Sequence, residues 1–232
     1  MATMTFFGQA VFNVAATRPA LVGYELLART KYHNQWIVPE NVGETAPDQL
    51  EALIPRALRA LPPTLQGVSF NLSPRQFVRP AFWATVARLR AQSQVPLTVE
   101  LTEARDPFVP TRALIEAAKQ YAALKIPLWI DDVGCGQNLP GVVEGLTPYA
   151  LGYKFARQDL RDLISPADLA DRQAFWAAKA QAAGRAFVIE GVETEAEFTA
   201  VSAQYPTALM QGCYLAAPAR LQAGRVARVV AP

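Results

Sequence analysis

Short apolar runs alternate with long helical stretches along this chain, and nearly every apolar run ends on a polar residue. The runs are Thr5–Phe12, Leu21–Leu27, Gly67–Leu72, Leu97–Leu101, Pro127–Asp131, Leu151–Phe155, Ala186–Glu190 and one near Ala208–Leu215. Most are rich in β-branched or aromatic residues with Pro or Gly nearby, as strands are. Helical periods fill Asp48–Ala60, Pro80–Gln92, Pro110–Leu124, Pro166–Ala183 and Thr194–Gln204. Start signals support several of them: Ser165-Pro166, Val109-Pro110-Thr111, and the capping-box order Thr194-Glu195-Ala196-Glu197. A strand–helix repeat of this kind implies parallel strands with right-handed crossovers. About eight strands favour closure, so the expectation is one α/β domain over residues 1–232, a (β/α)8 TIM-like barrel.

The polar strand ends then decide where chemistry sits. They are Glu25, Asn71, Glu100, the pair Asp131-Asp132, Lys154, Glu190 and Gln211. In a β/α barrel the C-terminal strand ends share one face, where active sites are built. Any one of these residues alone is equally suited to capping a helix, but a set in phase with the strands predicts a single pocket. Five carboxylates converging on one lysine repel one another and raise each other's pKa. Divalent cations are the natural compensation. The only ligands are oxygens, which suits hard ions, Mg²⁺ or Mn²⁺, rather than zinc. Adjacent Asp131-Asp132 lets one carboxylate bridge two ions, the layout of two-metal phosphoryl chemistry.

Composition excludes several other classes. Lys+Arg 22 against Asp+Glu 20 is too balanced for a nucleic-acid-polymer binder. Cys135 and Cys213 are far apart with no C-x-x-C, and His33 is the single histidine, so zinc clusters and histidine triads are not indicated. No apolar run is long enough to span a membrane. The first residues lack the basic start and apolar core of a secretory signal, giving a cytoplasmic expectation. Gly134-Cys135-Gly136 reads as a tight turn, His33 as a surface histidine, and the Arg220, Arg225, Arg228 series as a solvated helix face.

At the strand ends the chain resembles the EAL domain family of cyclic di-GMP phosphodiesterases, over almost its whole length. Glu25-Leu26-Leu27 with Arg29 resembles the Glu-Ala-Leu signature and its following arginine, and Phe70-Asn71-Leu72-Ser73 the Asn-Leu-Ser strand end. Glu100-Leu101-Thr102-Glu103 and Glu190-Gly191-Val192-Glu193 reproduce Glu-Leu-Thr-Glu and Glu-Gly-Val-Glu. Asp131-Asp132-Val133-Gly134-Cys135-Gly136 resembles Asp-Asp-Phe-Gly-Thr-Gly, and Gln211-Gly212 with Pro218 the closing Gln-Gly…Pro segment. The resemblance implies hydrolysis of cyclic di-GMP to linear pGpG. It implies Glu25, Asn71, Glu100 and Asp131 as ligands of one ion, and Asp131, Asp132 and Glu190 of a second. It also implies Lys154 and Gln211 at the attacking water, Glu103 bracing the loop after Asp132, Gln9, Leu27, Arg29 and Glu193 at the nucleotide, and a homodimer.

Departures from the pattern keep other readings open. The family's Lys-x-Asp is Lys154-Phe155-Ala156 here, without the acidic residue. Val133, Cys135 and Gln137-Asn138-Leu139-Pro140 replace the usual loop residues. The alternatives are a cyclic di-GMP receptor without turnover and a protein-interaction module with a protein partner. A glycosidase would need two flanking acids and gives no reason for the Asp131-Asp132 pair.

Overall fold

A computed structural model describes residues 3–15, 18–39 and 45–223. The chain runs through β1 (Met4–Asn13), β2 (Ala20–Tyr32), β3 (Gln35–Ile37), α1 (Pro47–Leu58), β4 (Gly67–Leu72), α2 (Pro74–Phe77), α3 (Pro80–Gln92) and β5 (Leu97–Leu101). It continues through α4 (Thr111–Ala123), β6 (Leu128–Ile130), α5 (Pro140–Leu146), β7 (Gly152–Ala156), α6 (Pro166–Ala182), β8 (Ala186–Glu190), α7 (Glu195–Gln204), β9 (Leu209–Met210) and β10 (Ala219–Arg220). Pairing runs β1-β9-β8-β7-β6-β5-β4-β2, and β1–β2 pairing closes it into a barrel of eight strands surrounded by helices. The β/α barrel expected from the alternation is the fold. Among the described residues, no helix is long and apolar enough to cross a membrane.

One expectation is corrected. All the barrel strands were expected to be parallel, but β1 is antiparallel to both β2 and β9. The connection between β1 and β2, residues 14–19, is too short for a crossover, which needs about a dozen residues or more. A direct return is the remaining path. The other barrel neighbours are parallel as expected. β3 forms a hairpin on β2, with exposed His33 in its turn, and β10 pairs with β1. Arg220 therefore lies on a short strand, not on a helix face; Arg225 and Arg228 fall outside the described residues.

The helix starts read from the sequence hold their caps. Ser165 Oγ accepts from Asp168 N at the start of α6, and Thr194 with Glu197 makes the capping box of α7. On the barrel strands, residues alternate between the interior and the helix layer. Val68, Phe70 and Leu72 of β4 are almost fully buried while Asn71, between two of them, points to the barrel mouth. Period two therefore separates core from site along each strand.

Candidate active site

The C-terminal strand ends bring the charged residues around Lys154. Its Nζ lies 3.0 Å from Glu25 Oε2, 2.5 Å from Glu100 Oε2, 3.2 Å from Asp131 Oδ1 and 2.6 Å from Glu190 Oε1. These come from β7, β2, β5, the residue after β6, and β8, so the site needs the closed barrel. Asn71 Nδ2 donates to Glu25 Oε1 at 2.6 Å. Gln211 Nε2, just after β9, donates to Glu25 Oε2 at 2.8 Å and to Gln9 Oε1 at 3.0 Å. Lys154 is 2% exposed and Glu100 1%, which makes this a buried polyion.

Burial and mutual repulsion set the charges. Burial would raise Glu25, but Lys154 and the hydrogen bonds from Gln211, Lys154 and Asn71 outweigh it and hold the carboxyl low. Glu100 is pushed well up by burial and then by Glu25, despite Lys154. Burial, opposed by Lys154 and reinforced by Glu190 and Glu25, takes Asp131 up to about 8. Asp132 rises to about 11 through burial and then Asp131 and Glu190. Glu190 also rises, chiefly by burial. Lys154 is held well above its usual range, the attraction of Asp131, Glu100, Glu190 and Glu25 together exceeding the cost of burial.

A carboxyl raised by folding binds its proton more tightly in the native state. Its stabilisation is complete below the ordinary carboxylate range and disappears as pH rises through the folded-state pKa. For Asp131 that window runs from about 4 to about 8. In EDTA, the melting temperature is therefore expected to fall between pH 5 and pH 8, and Mg²⁺ or Mn²⁺ to restore more of it at pH 8 than at pH 5. Thermal melts across that grid test it; a melting temperature rising with pH in EDTA would contradict the repulsion argument.

Two overlapping sets of oxygens fit divalent ions. Ligand atoms of Glu25, Glu100 and Asp131 lie within 4.8 Å of one another, as do those of Asp131, Asp132 and Glu190. Asp131 belongs to both. Buried Asn71 Oδ1 and Asp132 Oδ1 accept no hydrogen bond, so they are available to a cation. Asp131 Oδ1 and Glu190 Oε1 face the Lys154 ammonium at 3.2 and 2.6 Å as ion-pair partners and take no other hydrogen bond. With oxygens alone in the set, the chemistry suits hard ions.

Asp132 turns away from its strand with φ +44°, a conformation L-residues avoid. The turn is held from several sides. Val133 N donates to Lys154 O at 2.9 Å and Gly134 N to Asn138 O at 2.8 Å. Fully buried Asn138 donates through Nδ2 to Leu101 O at 3.2 Å and to Asp131 O at 2.5 Å, tying the ends of β5 and β6 together. Glu103 does lie against this loop, through its main-chain carbonyl, which accepts from Gln137 N at 2.7 Å. Gly136 (φ +49°) packs so close that a Cβ there would lie 2.0 Å from that carbonyl. The Asn138 brace was not foreseen; a buried asparagine eight residues past a strand end carries no periodic signal.

A cleft of about 390 Å³ opens beside Asn71 and Asp131, and Leu27, Arg29 and Glu103 line it. Arg29 lies over the Phe7 ring at 5.7 Å and donates to Ala28 O at 2.8 Å. Ser73 and Gln76, which the sequence reading did not assign to the site, line the same cleft; their signal was the capping box that starts α2. Gln9 stands apart from the cleft, on Gln211. Glu193 is drawn away by Arg161, whose Nη1 donates to it at 2.8 Å. Ala156 is buried, in register with Glu190, with no carboxylate of its own.

The sequence model of the EAL domain matches residues 8–218. No curated protein sequence matches the chain. Among solved structures, a standalone EAL protein from Vibrio cholerae O395, in its c-di-GMP-bound form, superposes with a TM-score of 0.76 at 21% identity, over 97% of this chain and 96% of that one. The PaMucR phosphodiesterase in complex with c-di-GMP gives 0.72 at 22% identity, over 94% and 97%. The FimX EAL domain from Pseudomonas aeruginosa bound to c-di-GMP gives 0.70 at 17%, over 93% and 90%.

Proposed function

We propose that this chain, which belongs to the EAL domain family, is a metal-dependent phosphodiesterase that opens one phosphodiester of cyclic di-GMP to give linear pGpG. The observation that carries this reading is the pair of oxygen sets sharing Asp131 around a buried lysine. Solved relatives of the same fold bound to c-di-GMP support the choice of substrate.

In this reading Glu25, Asn71, Glu100 and Asp131 hold one ion, and Asp131, Asp132 and Glu190 the other, as Mg²⁺ or Mn²⁺. Bound there, the two ions supply an activated water and charge neutralisation at the leaving oxygen. The chain's own groups do the rest. Lys154 and Gln211 donate hydrogen bonds to the attacking water and fix its direction. Arg29, at the cleft wall, presents a fork that matches phosphate oxygens, and Leu27 offers apolar surface to a base. Glu103 and Asn138 keep the turn carrying Asp132 in place. Gln9 acts through Gln211, and Glu193 reaches the nucleotide only by leaving Arg161. A homodimer and a cytoplasmic setting belong to the same proposal.

Two departures from the family pattern favour a second reading. The missing carboxylate at Ala156 and the rebuilt loop 133–140 would suit a receptor that binds cyclic di-GMP without cleaving it, or a domain that serves a protein partner. Calorimetric titration of cyclic di-GMP in EDTA and in Ca²⁺, then a turnover assay in Mg²⁺ and Mn²⁺, separates them. Binding with pGpG production is the expected result. Binding without product would make the chain a receptor, and no binding would remove the nucleotide from the account.

A further inference from the structure

Beneath the site residues, two positions earlier on each strand, lies a second ring of side chains. Glu25 stands over Gly23, Asn71 over Ser69 and then Gly67, Glu100 over Thr98, and Lys154 over Gly152. Asp131, Glu190 and Gln211 stand over Trp129, Val188 and Leu209. On the neighbouring strands β2, β4 and β5 this level is therefore small or hydroxylic, whereas Trp129 of β6, Val188 of β8 and Leu209 of β9 are apolar and the Trp129 ring covers Gly152 of β7. Barrel interiors are ordinarily filled by bulky branched side chains in layers. Here Gly23, Ser69 and Thr98 leave a chamber of about 180 Å³, closed on its other side by Trp129, Val188 and Leu209, with Lys154 and Glu100 at its roof.

The chamber reaches solvent at the opposite end from the substrate cleft. Its lower wall includes exposed Gln66 and Leu151, the latter 45% exposed, at the N-terminal ends of β4 and β7. Ser69 and Thr98 are register partners on neighbouring strands, so their hydroxyls form a step between that opening and the roof. Gly152 is required by the same packing: a Cβ there would lie 2.4 Å from the Trp129 ring, which fills the apolar side. Dry cavities are apolar, whereas one with several polar partners and room for a water molecule is hydrated. At about 30 Å³ per molecule, this chamber has room for about six waters.

We propose that the chamber is a water-binding shaft that brings water from the N-terminal face of the barrel up to the floor beneath the buried Lys154 and Glu100, independent of the substrate mouth. Through it, the Nζ hydrogens of Lys154 exchange with water hydrogens, one leaving as one arrives, with no change in charge. Its use in catalysis rests on the phosphodiesterase reading; its existence does not.

Crystals of the whole protein, with and without xenon pressure, test occupancy. Ordered waters within hydrogen-bond distance of Ser69 Oγ and Thr98 Oγ1 are expected, and xenon filling the chamber in their place would overturn the proposal. Route is tested by NMR exchange of the Lys154 ammonium hydrogens, without nucleotide or metal. Ser69→Leu fills the shaft, and exchange should slow several-fold against wild type. Thr98→Val, nearly isosteric but without the hydroxyl, gives the same reading if the larger side chain prevents folding. Unchanged exchange in a folded variant would overturn the route. Absence of turnover in wild type would count against the phosphodiesterase reading alone.

Discussion

Asp131→Asn is expected to lower cyclic di-GMP hydrolysis by about a hundredfold or more, since even groups one layer out from a metal are typically worth 10–100-fold. Asp131 is the one residue common to both oxygen sets, so the amide removes a charged ligand from each. The fold should survive. The side chain keeps its shape, and the Asp131 carbonyl remains tied to Asn138 Nδ2. Moreover, the substitution removes a carboxyl whose ionisation is opposed by burial and by the charges of Glu190 and Glu25. Stability in EDTA at pH 8 should therefore match or exceed that of wild type while activity is lost. A turnover assay in Mn²⁺ beside a thermal melt in EDTA reads both. Hydrolysis at the wild-type rate would mean that the two-ion assignment is wrong.

That separation of activity from stability reflects what the sequence made legible. A strand whose apolar run stops on Glu, Asn or Lys announces both its barrel position and its chemical duty, and Glu25, Glu100, Lys154 and Glu190 were found that way. Their convergence followed from barrel closure. Short elements were not legible. Helix α5 has the sequence Pro-Gly-Val-Val-Glu-Gly-Leu, whose two glycines oppose helix formation. Gly145 faces α4, where a Cβ would meet Ile115 Cδ1 at 2.6 Å. The two-residue β9 and β10 are too short to show a period. Glu193 shows the limit of motif reasoning: it follows Gly191, whose φ of +72° turns the chain, and an arginine the motif does not contain takes the carboxylate. The small residues beneath the site were visible at a spacing of two, but their meaning depended on knowing that β2, β4 and β5 lie side by side in the closed barrel.

Lys154→Met tests the other half of the electrostatic account, and its largest expected effect is on stability. Removing one partner of a buried ion pair typically costs about 3–5 kcal/mol, because the charge left behind is neither solvated nor paired. Here a single ammonium faces four carboxylates within 3.2 Å. Methionine fills nearly the same volume, so lost packing contributes little. Protons are the available substitute for the ammonium. Glu100, Asp131 and Glu190 already hold theirs more tightly than usual, and without Lys154 they would hold them more tightly still. The penalty should accordingly be smaller at pH 5.5, where those carboxyls stay neutral at little cost, and larger at pH 8, where neutrality works against the solution. Divalent ions offer the second substitute, so Mn²⁺ should raise the melting temperature of the variant more than that of wild type. Urea unfolding in EDTA at the two pH values, and melts with and without Mn²⁺, measure each part. Equal stability of variant and wild type at pH 8 would show that the lysine does not compensate the carboxylates. A penalty that grows with pH and shrinks with Mn²⁺ would place ammonium, proton and divalent ion as alternative neutralisers of one buried negative cluster.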